Sequence, residues 1–220
     1  NIIGTQNVIK AATSVGVEKV VFISSDKAVA PINVYGATKF VAEQFAISYN
    51  AISASRGTRV SVVRYGNVIG STGSVLQFWT KQRDAGEPLL LTSPSMSRFL
   101  MSVKDACRLV MDAITHMEGG EIFVPRLRSA MLVDIAEALA PGHPIEFTGL
   151  RVGGEKVQFT PQLFVIPPPK PPWTAERPYE GCPKGLPSAP YRSDETAYLF
   201  PTSGDVVHYL GKALADCVDL

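Results

Sequence analysis

Glu18-Lys-Val-Val-Phe-Ile-Ser24 is a short, nearly continuous apolar run rich in β-branched residues, and it opens directly onto the polar cluster Ser24-Ser-Asp-Lys27. Such a run reads as a parallel strand buried on both faces. A second one, Arg59-Val-Ser-Val-Val-Arg-Tyr65, follows a long segment with helical spacing, roughly Val34 to Ser55, and the turn Arg56-Gly57. Strand, helix and strand in that order predict a crossover unit of a parallel sheet, because parallel neighbours need a connection of about a dozen residues or more.

Outward from this unit the alternation continues. Ile2, Gln6 and Ile9 recur at helical spacing and Gly16 closes the pattern, which predicts a helix over Ile2 to Ser14. Downstream, a polar loop from Gly66 to Gly73 precedes a helix over Val75 to Ala85, a strand at Leu89 to Leu91 and a helix over Val103 to Met117. A strand at Ile122 to Val124, a helix over Met131 to Leu139, a strand at Ile145 to Thr148 and a last helix from Asp205 to Asp216 complete the pattern. Residues 151–202 are rich in Pro and Gly. Pro167, Pro168, Pro169, Pro171 and Pro172 read as an irregular covering loop in preference to a polyproline ligand, since aromatic and apolar residues flank them. The expected fold class is α/β.

Of 220 residues, 45% are apolar and 19% charged, enough for a sizeable core. The 21 basic and 20 acidic residues nearly cancel, so the composition offers no general polyanion-binding surface and argues against a nucleic-acid partner. No apolar run approaches the roughly 18 residues that span a bilayer. Cys107, Cys182 and Cys217 are an odd count without metal-site spacing, which suggests reduced thiols and a cytoplasmic location. His116, His143 and His208 form no ligand pattern, and no metal is expected.

Tyr35 and Lys39 stand four residues apart in the long helical segment, on one helix face. An ammonium near a phenol favours the phenolate, which makes Tyr35 a candidate base. The spacing alone is common on surface helices. Its support is the strand end ten residues upstream, where open α/β sheets bind ligands. There Ser25 could hydrogen-bond the substrate oxygen that Tyr35 deprotonates, and Asp26 and Lys27 form an adjacent acid and base. The plainer alternative is a solvated turn with an Asp-Lys surface pair.

Six stretches together resemble one family: Ser24-Ser-Asp-Lys-Ala28, Pro31-Ile-Asn-Val-Tyr-Gly-Ala-Thr-Lys39, Arg64-Tyr-Gly-Asn-Val-Ile-Gly70, Gly73-Ser-Val75, Ser97-Arg-Phe99 and Gly119-Gly-Glu-Ile-Phe-Val-Pro125. They are similar to the inverting UDP-N-acetylglucosamine 4,6-dehydratases, extended short-chain dehydrogenase/reductases grouped with polysaccharide-biosynthesis proteins. The last stretch looks more like the soluble enzymes that begin pseudaminic acid synthesis than their membrane-anchored relatives. The resemblance implies the carboxyl-terminal part of a Rossmann-like doubly wound parallel sheet, with the Tyr35–Lys39 helix, over residues 1–73, a small region of mixed substrate-binding and returning Rossmann elements over 74–156, and a Pro-rich covering tail with a terminal helix over 157–220.

It also implies roles. Tyr35 would take the proton of the sugar 4-hydroxyl, with Lys39 on the ribose of bound NADP, or NAD as the alternative. Ser25 fills a position that is usually threonine. Lys27 would remove the proton on carbon 5 while Asp26 protonates the departing 6-hydroxyl. Asn67, at the end of the strand that begins at Arg59, Ser74, Arg98 and Glu155 would contact the UDP-sugar, Arg98 through the diphosphate; the plainer reading of Arg98 is a surface arginine in a Ser-rich loop. The full-length enzyme would be a homo-oligomer. Two departures stand out. No G-x-G-x-x-G loop occurs, so the resemblance corresponds to the carboxyl-terminal part of such an enzyme with the glycine-rich half absent. The family's Arg-Pro-Gly-Glu-Lys is Arg151-Val-Gly-Gly-Glu-Lys156 here, which carries Glu155 over across an inserted glycine. A sugar-nucleotide 4-epimerase would share Tyr35 and Lys39 without needing Asp26-Lys27, and a non-catalytic remnant would keep only the fold.

Overall fold

The computed structural model describes residues 1–149, 159–160, 165–166, 191–192 and 203–218. In chain order the elements are α1 (Ile2–Ser14), β1 (Lys19–Ser25), a 3-10 turn (Asp26–Ala28), α2 (Val34–Ala54), β2 (Arg59–Tyr65), β3 (Asn67–Val68), α3 (Val75–Asp84), β4 (Leu89–Leu91) and β5 (Ser97–Met101). They continue as α4 (Val103–His116), β6 (Ile122–Phe123), β7 (Arg128–Met131), α5 (Leu132–Leu139), β8 (Ile145–Phe147), β9 (Phe159–Thr160), β10 (Val165–Ile166), β11 (Tyr191–Arg192) and α6 (Ser203–Val218). The chain divides into two compact units. One holds Asn1–Tyr65, Arg108–Arg126 and Phe159–Tyr191, the other Gly66–Cys107, Leu127–Gln158 and Arg192–Leu220, so the 74–156 block contributes to both.

In the first unit β1, β2 and β6 run parallel and β10 adds antiparallel to β6. Because side chains alternate along a strand, the sheet buries two separate sets. Val20, Phe22, Val60, Val62 and Ile122 pack with Ile9 of α1 and Phe45, Ala46 and Tyr49 of α2. Val21, Val63 and Phe123 pack instead with Leu109, Val110 and Ala113 at the carboxyl end of α4. Helices on both faces bury β2 from Val60 to Arg64, whereas the apolar residues of β1 are half-buried and Ile23 is 46% exposed, so the expected burial on both faces holds for β2 and not for β1. The outer edge of β1 pairs with no strand among the described residues. The turn before β6 is held by the buried Glu121 carboxylate, which accepts hydrogen bonds from Ser61 Oγ and from the amides of Glu118 and Gly119.

The second unit contains a mixed sheet, β3 parallel to β5 and β5 antiparallel to β7, and the parallel pair β4 and β8. Its core gathers Leu76 and Trp79 of α3, Leu89, Leu91 and Leu100, Ile135 and Ala136 of α5, and Val206, Leu210 and Ala213 of α6. Three sequence expectations are corrected here. The loop expected from Gly66 to Gly73 contains β3, and β2 stops at Tyr65 so that Asn67 opens β3 instead of closing β2. The stretch around Arg98 is strand β5, not a Ser-rich loop, and Arg128–Met131 pairs with it as β7. Both strands are short and draw their backbone partners from distant segments, so neither has a strong local pattern. The Pro-rich stretch at 167–172 lies outside the described residues.

No helix among the described residues is long and apolar enough to cross a membrane. Trp79 is fully buried and its indole N–H donates to the Leu90 carbonyl at 3.0 Å. Trp79→Ala removes the largest side chain of the second core, so it is expected to cost about 3–5 kcal/mol, read as a lower denaturant midpoint in far-ultraviolet circular dichroism.

Candidate functional site

Ser25, Asp26, Lys27, Tyr35 and Lys39 all belong to the first unit, at the carboxyl end of β1 and the start of α2. β1 ends at Ser25 because its backbone turns at once into the 3-10 turn, with Ser25 as its N-cap: Ser25 Oγ accepts from the Lys27 amide at 3.2 Å. The serine thereby orders the turn and still has its own proton to donate. Asp26 is 3% exposed, and Lys27 Nζ donates to Asp26 Oδ1 at 3.2 Å. The two charges are therefore a partly desolvated contact pair, not the solvated surface pair of the plainer reading.

α2 begins at Val34 because Asn33 caps it, its Oδ1 accepting from the Gly36 amide at 2.8 Å. Tyr35 sits in the first turn and is 51% exposed. Lys39, one turn on, donates from Nζ to the Ile23 carbonyl at 3.1 Å and lies 5.3 Å from the centre of the Phe22 ring. Burial lowers the pKa of the Lys39 ammonium below its ordinary value. An ammonium has three donors and this one uses one on Ile23, leaving two for a diol such as a ribose.

Gly36 brings the two halves of this cluster together. A methyl group at that position would run into the Lys27 carbonyl oxygen and come within 3.0 Å of Pro31 Cβ. The start of α2 can approach the 3-10 turn only where the side chain is a hydrogen. Between them Ala30 adopts a left-handed φ of 44°, the one non-glycine residue to do so among the described residues.

The expected substrate contacts Asn67, Ser74 and Arg98 belong to the second unit. Asn67 pairs with Leu100 in the register of β3 and β5. Arg98 is half-buried on β5, opposite Ala130, and its Nη1 donates to the Ser97 carbonyl at 2.7 Å. Ser74 is the N-cap of α3, yet its side chain makes no cap bond and its buried Oγ has no partner. Glu155 lies outside the described residues. Sequence reasoning missed an apolar cavity of about 400 Å³ in this unit, lined by Val75, Phe78, Leu90, Thr92, Leu132 and Thr148 among others. Its one local signal is the exposed Phe78 on α3; the remaining walls come from segments far apart in the chain. No group of three or more His, Cys, Asp or Glu side chains that could hold a metal occurs among the described residues.

Residues 1–160 match a family described as polysaccharide biosynthesis protein. The chain belongs to that family. Within it, the chain is 42% identical over 154 residues to the UDP-N-acetylglucosamine 4,6-dehydratase (inverting) of Campylobacter jejuni, covering 70% of this chain and 46% of the relative. It is 40% identical over 157 residues to the UDP-glucose 4-epimerase of Rickettsia canadensis, again covering 70% of this chain and 46% of the relative. The chain spans about half the length of these curated relatives. The solved structure of Pen from Bacillus thuringiensis is similar with a TM-score of 0.85 and 32% identity, over 96% of this chain and 68% of that one. The parallel sheet with helices on both faces and the likeness to Pen show a Rossmann-like α/β fold.

Gly36→Ala tests the close approach directly. Overpacking against a backbone carbonyl is expected to cost about 1–3 kcal/mol, measured as a lower denaturant midpoint, whereas Gly4→Ala, with open space around it in a helix, is expected to stabilise by up to about 1 kcal/mol.

Proposed function

We propose that the protein is a UDP-N-acetylglucosamine 4,6-dehydratase that inverts carbon 5 and yields a UDP-4-keto-6-deoxy-hexosamine for surface-polysaccharide or flagellin-glycan sugars such as pseudaminic acid. The observation that carries the reading is the contact of Lys27 with the buried Asp26 beside the Tyr35 helix. An acid and a base in contact suit removal of water across carbons 5 and 6, and exchange of configuration at carbon 4 needs neither.

In this reading Tyr35 accepts the proton of the 4-hydroxyl, with Ser25 donating to the same oxygen and Lys39 holding the ribose. The chemistry supplied by NADP, or NAD, when bound is uptake of a hydride from carbon 4 and its return at carbon 6. A ketone at carbon 4 acidifies the hydrogen on carbon 5. Lys27 must be neutral to remove it and Asp26 must be protonated to release the 6-hydroxyl as water. One proton moving from Lys27 Nζ to Asp26 Oδ1 along their 3.2 Å contact supplies both states at once. Carbon 5 then takes a proton from water on the face opposite the one Lys27 deprotonated, which inverts it. Tyr35 gives the 4-hydroxyl proton back to water and Lys27 keeps the proton it removed, so the pair is again Lys27 ammonium and Asp26 carboxylate and the net change is loss of one water. Asn67, Ser74 and Arg98 would bind the nucleotide, the unpartnered Ser74 hydroxyl and the Arg98 guanidinium suiting phosphate oxygens, and the apolar cavity beside α3 suits the flat face of the base. Glu155 would add a substrate contact. Reduced thiols and a UDP-sugar substrate suit a cytoplasmic homo-oligomeric enzyme.

A second reading, 4-epimerisation of a UDP-sugar, is favoured by the 40% identity to the Rickettsia enzyme. The two separate in single turnover with the native, cofactor-bearing protein and UDP-N-acetylglucosamine. Asp26→Asn and Lys27→Ala are expected to cut 6-deoxy product formation about 100- to 10,000-fold while the absorbance of reduced nicotinamide still appears. Tyr35→Phe is expected to give no such absorbance. Turnover at the parent rate in both Asp26→Asn and Lys27→Ala would leave the epimerase reading standing.

A further inference from the structure

Glu43 and Arg64 form the most deeply buried ion pair among the described residues, 0% and 8% exposed. Arg64 Nε donates to Glu43 Oε2 at 2.9 Å and Nη2 to Oε1 at 2.5 Å, the two-pronged geometry in which guanidinium and carboxylate planes lock. Glu43 lies on α2 one turn beyond Lys39 and two beyond Tyr35. Arg64 lies on β2 directly beside Ser24 in the β1–β2 register, one residue before the pairing of Ser25 with Tyr65.

Stability alone is a weak reason for this pair. A buried ion pair recovers through attraction little more than it loses in desolvation, and apolar residues of similar volume often serve a core as well or better. Most of the interface between α2 and the sheet is apolar, and beside Glu43 it is built from the small residues Ala42 and Ala46. Such packing tolerates a slide or a small rotation. Among the described residues three polar ties of α2 to the sheet are directional: Lys39 to the Ile23 carbonyl and Glu43 to Arg64, one helical turn apart near Tyr35, and, towards the far end of the helix, Asn50 Oδ1, which accepts from the Val60 amide at 2.8 Å. The two at successive levels near Tyr35 fix both the height and the rotation of that end of the helix, which one tie there, with Asn50 three turns away, cannot do.

We propose that Glu43 and Arg64 are positioning residues that set Tyr35 and Lys39 against the end of β1. The proposal rests on the reading of Tyr35 as the first proton acceptor. It predicts that the step at Tyr35 is the more sensitive of the two, because Asp26 and Lys27 are carried by the 3-10 turn that follows β1, which the helix touches at Gly36 but does not carry.

The test uses the native, cofactor-bearing protein with two readouts: reduced-nicotinamide absorbance after addition of UDP-N-acetylglucosamine, and exchange of the carbon-5 hydrogen of a supplied UDP-4-keto-sugar with deuterated water. The double variant Glu43→Leu/Arg64→Met is expected to unfold at or above the parent's denaturant midpoint. It is expected to slow the absorbance change by about 100-fold, the scale of a misplacement near 1 Å, with KM within about twofold and carbon-5 exchange at the parent rate. Glu43→Gln keeps the shape and weakens one prong, so it gives the same selective slowing in smaller measure without depending on the double variant. Arg64→Lys, which keeps the charge but loses the fork, recovers little. An absorbance change at the parent rate in either folded variant, or equal slowing of both readouts, overturns the positioning role. Tyr35→Phe run alongside tells the failures apart: a silent Tyr35→Phe with parent rates in the pair variants removes only the positioning role, whereas an active Tyr35→Phe removes the reading of Tyr35 and the proposal with it.

Discussion

The absence of a side chain at Gly36 lets the first turn of α2 rest against the carbonyl of Lys27, and the arrangement of the first unit depends on that approach. Packing density in a protein interior leaves no slack for an extra methyl at such a point. With the hydrogen in place, the helix start, the 3-10 turn and the strand end become neighbours. Asn33 caps the helix on one side of the approach and Ser25 caps the turn on the other, so each backbone break is satisfied by a local side chain. A strained Ala30 takes up the geometry between them.

Around this point polar and apolar forces divide the work. The two faces of β1 and β2 bury aliphatic side chains against α1 and α2 on one side and the end of α4 on the other, which supplies the bulk of the burial but little direction. Direction comes from a few polar ties: Lys39 on Ile23, the Glu43–Arg64 fork and the Glu121 carboxylate that gathers Ser61 and the amides of the turn before β6. The Glu43–Arg64 fork and the Glu121 carboxylate sit where a charge would otherwise be buried without a partner.

How much of this was legible in the sequence follows from how local each signal is. β2 announces itself as an apolar run because burial on both faces demands apolar residues along it, β1 reads the same way although its apolar residues are only half-buried, and α1 announces itself by spacing and by Gly16 at its end, α2 by its helical spacing. β3, β5 and β7 do not, because a strand of two to five residues with Asn, Arg or Ser in it owes its conformation to its partners. Tyr35, Lys39, Ser25, Asp26 and Lys27 were legible as candidates because two short segments, adjacent in sequence, carry all five.

By itself, then, the sequence determined the strand–helix–strand order, the parallel sheet and which residues of the first unit carry reactive groups, since these depend on periodicity and short-range spacing. Only the tertiary structure decided that Asp26 is buried against Lys27, that Ser74 keeps an unpartnered hydroxyl, and that a cavity opens beside α3. It also decided that Glu43 and Arg64, 21 residues apart, meet inside the interface. A lone Glu in a helix and a lone Arg in a strand carry no sign of each other. Their pairing is fixed by how the helix crosses the sheet, a long-range geometry that local spacing does not encode.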